Sequence, residues 1–163
     1  MKTFAYVNAL LLYILFFVLL TAYYEEFVNA RPPCSFCVMQ RFFMVGIAVP
    51  LMFNVVGPIS YKNTAASLLA CVLGSVVSLY QWSGLLINDG VSTSPKIFDF
   101  PLYIWSTLLF FAIALCLFMM LFFMKSSYPA HSNLFTKIGY GLFFIMMLFQ
   151  IVTAFYSCGA LMC

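Results

Sequence analysis

The stretch RPPCSFCVMQR, residues 31–41, sets two cysteines three positions apart and an arginine four positions after the second. Three chemistries are open to such a pair: cycling between dithiol and disulfide, closing for good as a structural disulfide, or supplying half of a tetrahedral zinc site. Pro32 and Pro33 are excluded from a helix interior and suit its entry, so Cys34 and Cys37 belong at or near a first helical turn. Unpaired N–H groups and the positive end of the helix dipole meet there, and both favour a thiolate over a thiol. On that helix Cys34, Cys37 and Arg41 fall at i, i+3 and i+7, on one face, with the cation beneath the thiols. The arrangement favours redox chemistry over the inert disulfide, and metal binding comes last.

The helix that carries this motif belongs to a membrane protein. The chain has 163 residues, 66% of them hydrophobic and 7% charged, whereas about a quarter of the residues of an ordinary soluble domain are charged. Its seven basic residues are scattered, so nucleic-acid binding has no electrostatic footprint. About 20 apolar residues cross a bilayer core, and five such spans are expected, near residues 4–23, 37–56, 65–87, 102–124 and 135–155. Turn chemistry separates them at Arg31-Pro32-Pro33, at Gly57-Pro58, in the polar run 88–96 and at 126–133. The first span is longer than the apolar core of a signal peptide and reads as retained. The expected fold is one all-α transmembrane domain over residues 1–163, a four-helix-bundle core joined by a fifth transmembrane helix.

Five spans put the termini on opposite sides. Lys2, Lys62, Lys125 and Lys137 fall on the N-terminal side, Arg31, Arg41 and Lys96 on the other. This margin, together with a thiol pair suited to an oxidising compartment, places the N-terminus in the cytoplasm. The four acids, Glu25, Glu26, Asp89 and Asp99, then lie outside, and the single histidine, His131, lies across the membrane from the thiols, so a zinc site would lack ligands. Arg41 stands about two turns inside the boundary, where a charge is costly unless it meets an anion, a carbonyl or a polar ligand, or snorkels to headgroups.

Cys34-Ser35-Phe36-Cys37-Val38-Met39-Gln40-Arg41 resembles the CxxCxxQR signature of the disulfide bond formation protein B family, the quinone-dependent membrane thiol oxidases. The general likeness covers roughly residues 1–125. It implies a bacterial inner-membrane enzyme that reoxidises a periplasmic thioredoxin-fold thiol oxidant and passes the electrons to ubiquinone or menaquinone. Cys34 and Cys37 would be the quinone-proximal pair, with Cys37 facing the quinone, Arg41 the cation that polarises it and Gln40 a wall of the same pocket. Gln81 and Trp82, at the outer end of the third span, are candidates to touch the quinone, and Tyr80 shares their neighbourhood.

Members of that family usually carry a second cysteine pair in the loop between spans 3 and 4, and here that loop has none. Cys158 and Cys163, on the same outer side, are the expected replacement. Gly159 invites the helix to end between them, so that they could close a disulfide and shuttle electrons from the partner to Cys34 and Cys37. The alternatives are a structural disulfide or two free thiols, and a simpler circuit in which the partner attacks Cys34–Cys37 directly. Cys71 and Cys116, inside spans 3 and 4, read as small hydrophobes, and Asn54 and Gln150 as hydrogen-bonding links between helices. Two competing readings remain: a vitamin K epoxide reductase-like enzyme, disfavoured by the early position of the CxxC, and a non-enzymatic assembly or transporter-accessory protein stapled by external disulfides.

Overall fold

The computed structural model describes residues 2–29, 35–87, 96–97, 100–124 and 134–158. They form five helices, α1 (Lys2–Phe27), α2 (Ser35–Val56), α3 (Tyr61–Ile87), α4 (Leu102–Phe123) and α5 (Leu134–Cys158), with a two-residue antiparallel ladder before α4. The ladder pairs β1 (Lys96–Ile97) with β2 (Phe100–Pro101). All five helices are long and apolar enough to cross a membrane. Their outer surface agrees: Phe17, Phe53, Val76, Leu115, Phe122 and Ile145 are exposed, and every helix presents large apolar side chains outward. Helices apolar all round are those of a membrane span.

α2 packs on α3, α3 on α4, and α1 on α2, while α5 lies against both α1 and α2. Leu12, Leu15, Leu19, Ile47, Leu51, Cys71, Phe110, Leu117 and Phe143 fill the common core. Close approach of α3 to its neighbours depends on Gly74. A Cβ added there would stand 2.6 Å from the Phe110 ring of α4 and 3.0 Å from Cβ of Phe43 on α2. Cys71, one turn earlier, donates its S–H to the carbonyl of Phe110 at 3.0 Å and is fully buried.

Successive antiparallel helices gather polar contacts at two ends of the bundle. At one end the tight α2–α3 connection is tied by Asn54, which donates to Thr64 at 3.1 Å and accepts from the Ser60 backbone at 3.0 Å and from Asn63 at 3.1 Å. Ala5, Ile59 and Met124 pack together beside this connection. The interhelical role expected of Asn54 is what the structure shows. At the other end lie the C-termini of α1, α3 and α5 and the start of α2.

The helices differ from the expected spans mainly at their ends. α1 was expected to stop near Tyr23 but runs to Phe27, and the Val28 N–H still reaches the Tyr24 carbonyl at 2.9 Å. No proline or glycine interrupts residues 23–29, and just past the helix end the Asn29 side chain donates to the Glu25 carboxylate at 3.0 Å. α2 passes through Pro50 without a break in the helix. α5 continues to Cys158, three residues past the expected end.

Candidate active site

The extra turn of α1 decides the surroundings of Arg41. It carries Glu26 to the guanidinium, whose Nη1 donates to the Glu26 carboxylate, while Nη2 donates to the Ala22 carbonyl at 3.1 Å. Both side chains of the ion pair are nearly removed from the surface, at 10% and 9% exposure. The Tyr23 ring lies over the same guanidinium, its centroid 4.7 Å from Cζ. Arg41 thus does not snorkel: it meets the anion, the carbonyl and the aromatic face that make a buried cation tolerable. Glu26 and Tyr23 were not foreseen as site residues. The available signal was the unmet requirement of Arg41 for an anion, with an acid near the end of the preceding span.

Cys37 lies in the first turn of α2 and is disulfide-bonded. Arg41 follows it by one helical turn. Cys34, immediately before the helix, is outside the described residues, as is Cys163; Cys158 ends α5, but its side chain is not among those described. The loop of residues 88–95 is likewise outside them. Cys71 and Cys116 are free.

Gln40 and Gln81 are brought together. The amide of Gln40 donates to Oε1 of Gln81 at 2.8 Å, a buried bridge from α2 to α3. Trp82, next to it, faces outward at 40% exposure, and Tyr80 is exposed with its ring 5.7 Å from that of Phe36. One turn before Gln81, Oγ of Ser78 is fully buried and has no hydrogen-bond partner among the described residues.

Tyr23 connects this end of the bundle to α5. Its hydroxyl donates to Oε1 of Gln150 and lies 3.2 Å from Oγ1 of Thr153. Gln150 is therefore an interhelical link, as its type and position suggested.

Residues 5–87, just over half of the chain, match the family of the disulfide bond formation protein DsbB. The chain belongs to the DsbB family. As a DsbB-family protein with five membrane-spanning helices it is a multi-pass membrane oxidoreductase of disulfide-bond formation. The curated proteins and the solved structures offer no match. The DsbB match covers α1, α2 and α3, and hence Tyr23, Glu26, Cys37, Gln40, Arg41 and Gln81; it stops short of the expected likeness to about residue 125 and leaves α4 and α5 outside.

The DsbB family uses quinones, and the chemistry of this end of the bundle fits one. Arg41 and the Gln40–Gln81 amides are donors for a carbonyl oxygen, and Ser78 adds a buried hydroxyl in need of a partner. Phe36, Met39, Tyr80 and Trp82 supply apolar and aromatic surface open to the bilayer.

Proposed function

We propose that the chain is a thiol:quinone oxidoreductase of the bacterial inner membrane, in which Cys34 and Cys37 form the redox pair beside a site for ubiquinone or menaquinone. The observation that carries this reading is the buried, ion-paired Arg41 one turn below the disulfide-bonded Cys37, at the mouth of a membrane-spanning helix. A thiol pair at that place borders both the aqueous phase and the lipid, where a soluble dithiol and a membrane quinone meet.

The electron donor is a periplasmic thioredoxin-fold protein of the DsbA type. Its thiolate attacks one sulfur of an external disulfide of this chain, that S–S bond breaks, and a mixed disulfide between the two proteins forms. The donor's second thiol then displaces the mixed disulfide, leaving the donor oxidised and a dithiol in this chain. A quinone bound beside α2 supplies an acceptor for the two electrons and two protons released when Cys34 and Cys37 close again. Arg41 holds positive charge at that place in surroundings of low dielectric, where charge stabilisation is strongest. Glu26 balances Arg41 while no other anion is present and fixes the direction of its guanidinium. Gln40 and Gln81 hold α2 to α3 and present amide groups beside it.

Electrons enter through Cys158 and Cys163 when these act as the shuttle pair, whose thiols then reduce the Cys34–Cys37 disulfide by a second exchange and close again; otherwise the donor meets Cys34–Cys37 directly. The N-terminus is cytoplasmic and both cysteine pairs face the periplasm. Quinone reduction by purified protein in detergent, driven by a reduced thioredoxin-fold dithiol, tests the reading. Cys37→Ser is expected to abolish turnover. Cys158→Ser/Cys163→Ser is expected to remove turnover of the protein donor, and an undiminished rate in that variant would leave direct attack on Cys34–Cys37. A folded parent that turns over no quinone with any dithiol donor would make the chain a stapled, non-catalytic member of its family.

A further inference from the structure

The thiol chemistry of Cys34 and Cys37 does not by itself require α5, which lies beyond the segment matched to the family. Yet two buried polar side chains near its end, Gln150 and Thr153, both reach the Tyr23 hydroxyl, Thr153 while also bonded to the Phe149 carbonyl of its own helix at 3.0 Å. Phe149, beside them, meets the Tyr23 ring edge-on with centroids 4.9 Å apart. A buried amide within an apolar span is retained only at a cost, and among the described residues this one bonds to Tyr23. The tyrosine in turn lies against Arg41.

Two different constraints act on the guanidinium. α1 holds its edge through Glu26 and the Ala22 carbonyl, and Tyr23 covers a face. The edge contacts are made within α1 and α2. The face contact depends on where the tyrosine ring sits: the ring stacks on Phe27 of α1 at 6.1 Å, and its hydroxyl bonds to α5, more than 120 residues along the chain.

We propose that Gln150 and Thr153 are positioning residues of the redox site: by anchoring the Tyr23 hydroxyl they keep its ring on Arg41 and so fix how that cation faces the quinone. The proposal deepens the thiol:quinone reading and rests on it for its functional half. Tyr23, Gln150 and Thr153 act through Arg41 and take no part in bond making.

Arg31 and Arg41 are the only arginines in the chain, so arginine side-chain NMR of the full-length protein in detergent, labelled with nitrogen-15 in arginine, contains two guanidinium groups. In the parent, hindered rotation is expected to keep the Arg41 Nη signals separate, and averaged signals there would overturn the proposal. In Gln150→Leu/Thr153→Val and in Tyr23→Phe they are expected to average, while Thr153→Ser keeps them apart. Affinity for a short-chain quinone analogue, read by tryptophan quenching in the oxidised protein, is expected to fall by about five- to tenfold in the first two variants, the range of a cation–π contact. In the turnover assay the same variants are expected to lower kcat/KM for the quinone by at least the factor lost in affinity. In an Arg41→Gln background neither variant lowers quinone affinity further, because a relay has nothing left to act on.

Arg41 signals unchanged in both variants would overturn the proposal, since Glu26 and Ala22 would then suffice to fix the guanidinium. Averaged signals with unchanged quinone affinity would also overturn it, because α5 would order the arginine without serving the site. A variant effect that persists in the Arg41→Gln background would mark a general packing defect and count against it too. A parent that binds the analogue but does not turn over would overturn the oxidase reading alone, and the NMR and affinity results would still decide this one. A parent that binds no quinone would overturn both.

Discussion

At the scale of single residues, the fate of Arg41 depends on Glu26. Removing one member of a buried ion pair leaves the other charge uncompensated, which typically costs about 3–5 kcal/mol, whereas removing both costs much less. Glu26→Gln is therefore expected to lower the unfolding free energy in detergent by roughly 3 kcal/mol, and Glu26→Gln/Arg41→Gln to recover most of that loss. A denaturation series on the two single variants and the double variant measures the coupling directly. The same cycle separates stability from function, since the double variant should refold well yet bind quinone poorly. The CxxC and the need of Arg41 for a partner were both legible in the sequence. The identity of the partner was not, because Glu25 and Glu26 read as the end of a span, and only the packing of α1 on α2 turns one of them inward.

At the scale of the helices, the pattern of apolar runs located all five, because about 20 consecutive apolar residues have few other places to go. Their ends were less legible. A helix end near a membrane surface is set by what its last turn can bond to on another helix, as the continuation of α1 to Glu26 illustrates. The contact between α2, α3 and α4 around Gly74 was likewise invisible, since a glycine in an apolar run does not say what faces it. Gly74→Ala must displace the fully buried Phe110 ring or part the helices, and overpacking of this kind costs about 1–3 kcal/mol. Gly141, where an added Cβ meets nothing within 4 Å, is the control. Gly141→Ala should leave the melting temperature in place or raise it slightly, through the better helix propensity of alanine.

At the scale of the whole molecule, the two ends of the bundle have different work. One is tied by the Asn54 knot and the small cluster of Ala5, Ile59 and Met124; the other carries Cys37, Arg41 and the polar bridges between helices. Under the proposed topology, a membrane-impermeant maleimide applied to intact cells should label a cysteine-depleted variant carrying Asn29→Cys and spare one carrying Lys62→Cys; the reverse pattern would invert that topology. Cys71, buried and bonded to Phe110, should resist even permeant maleimide until the protein unfolds. The bridge from Tyr23 to Gln150 also has a meaning in time. The two residues lie 127 positions apart, which a ribosome covers in about 6–25 s at ordinary elongation rates. During synthesis α1 and α2 can enter the membrane and pair Arg41 with Glu26 well before the last helix exists, but the ring over that arginine gains its anchor only when α5 arrives. A chain cut short before α5 would therefore keep Cys34, Cys37 and the Arg41–Glu26 pair but lack Cys158, Cys163 and the α5 contacts of Tyr23.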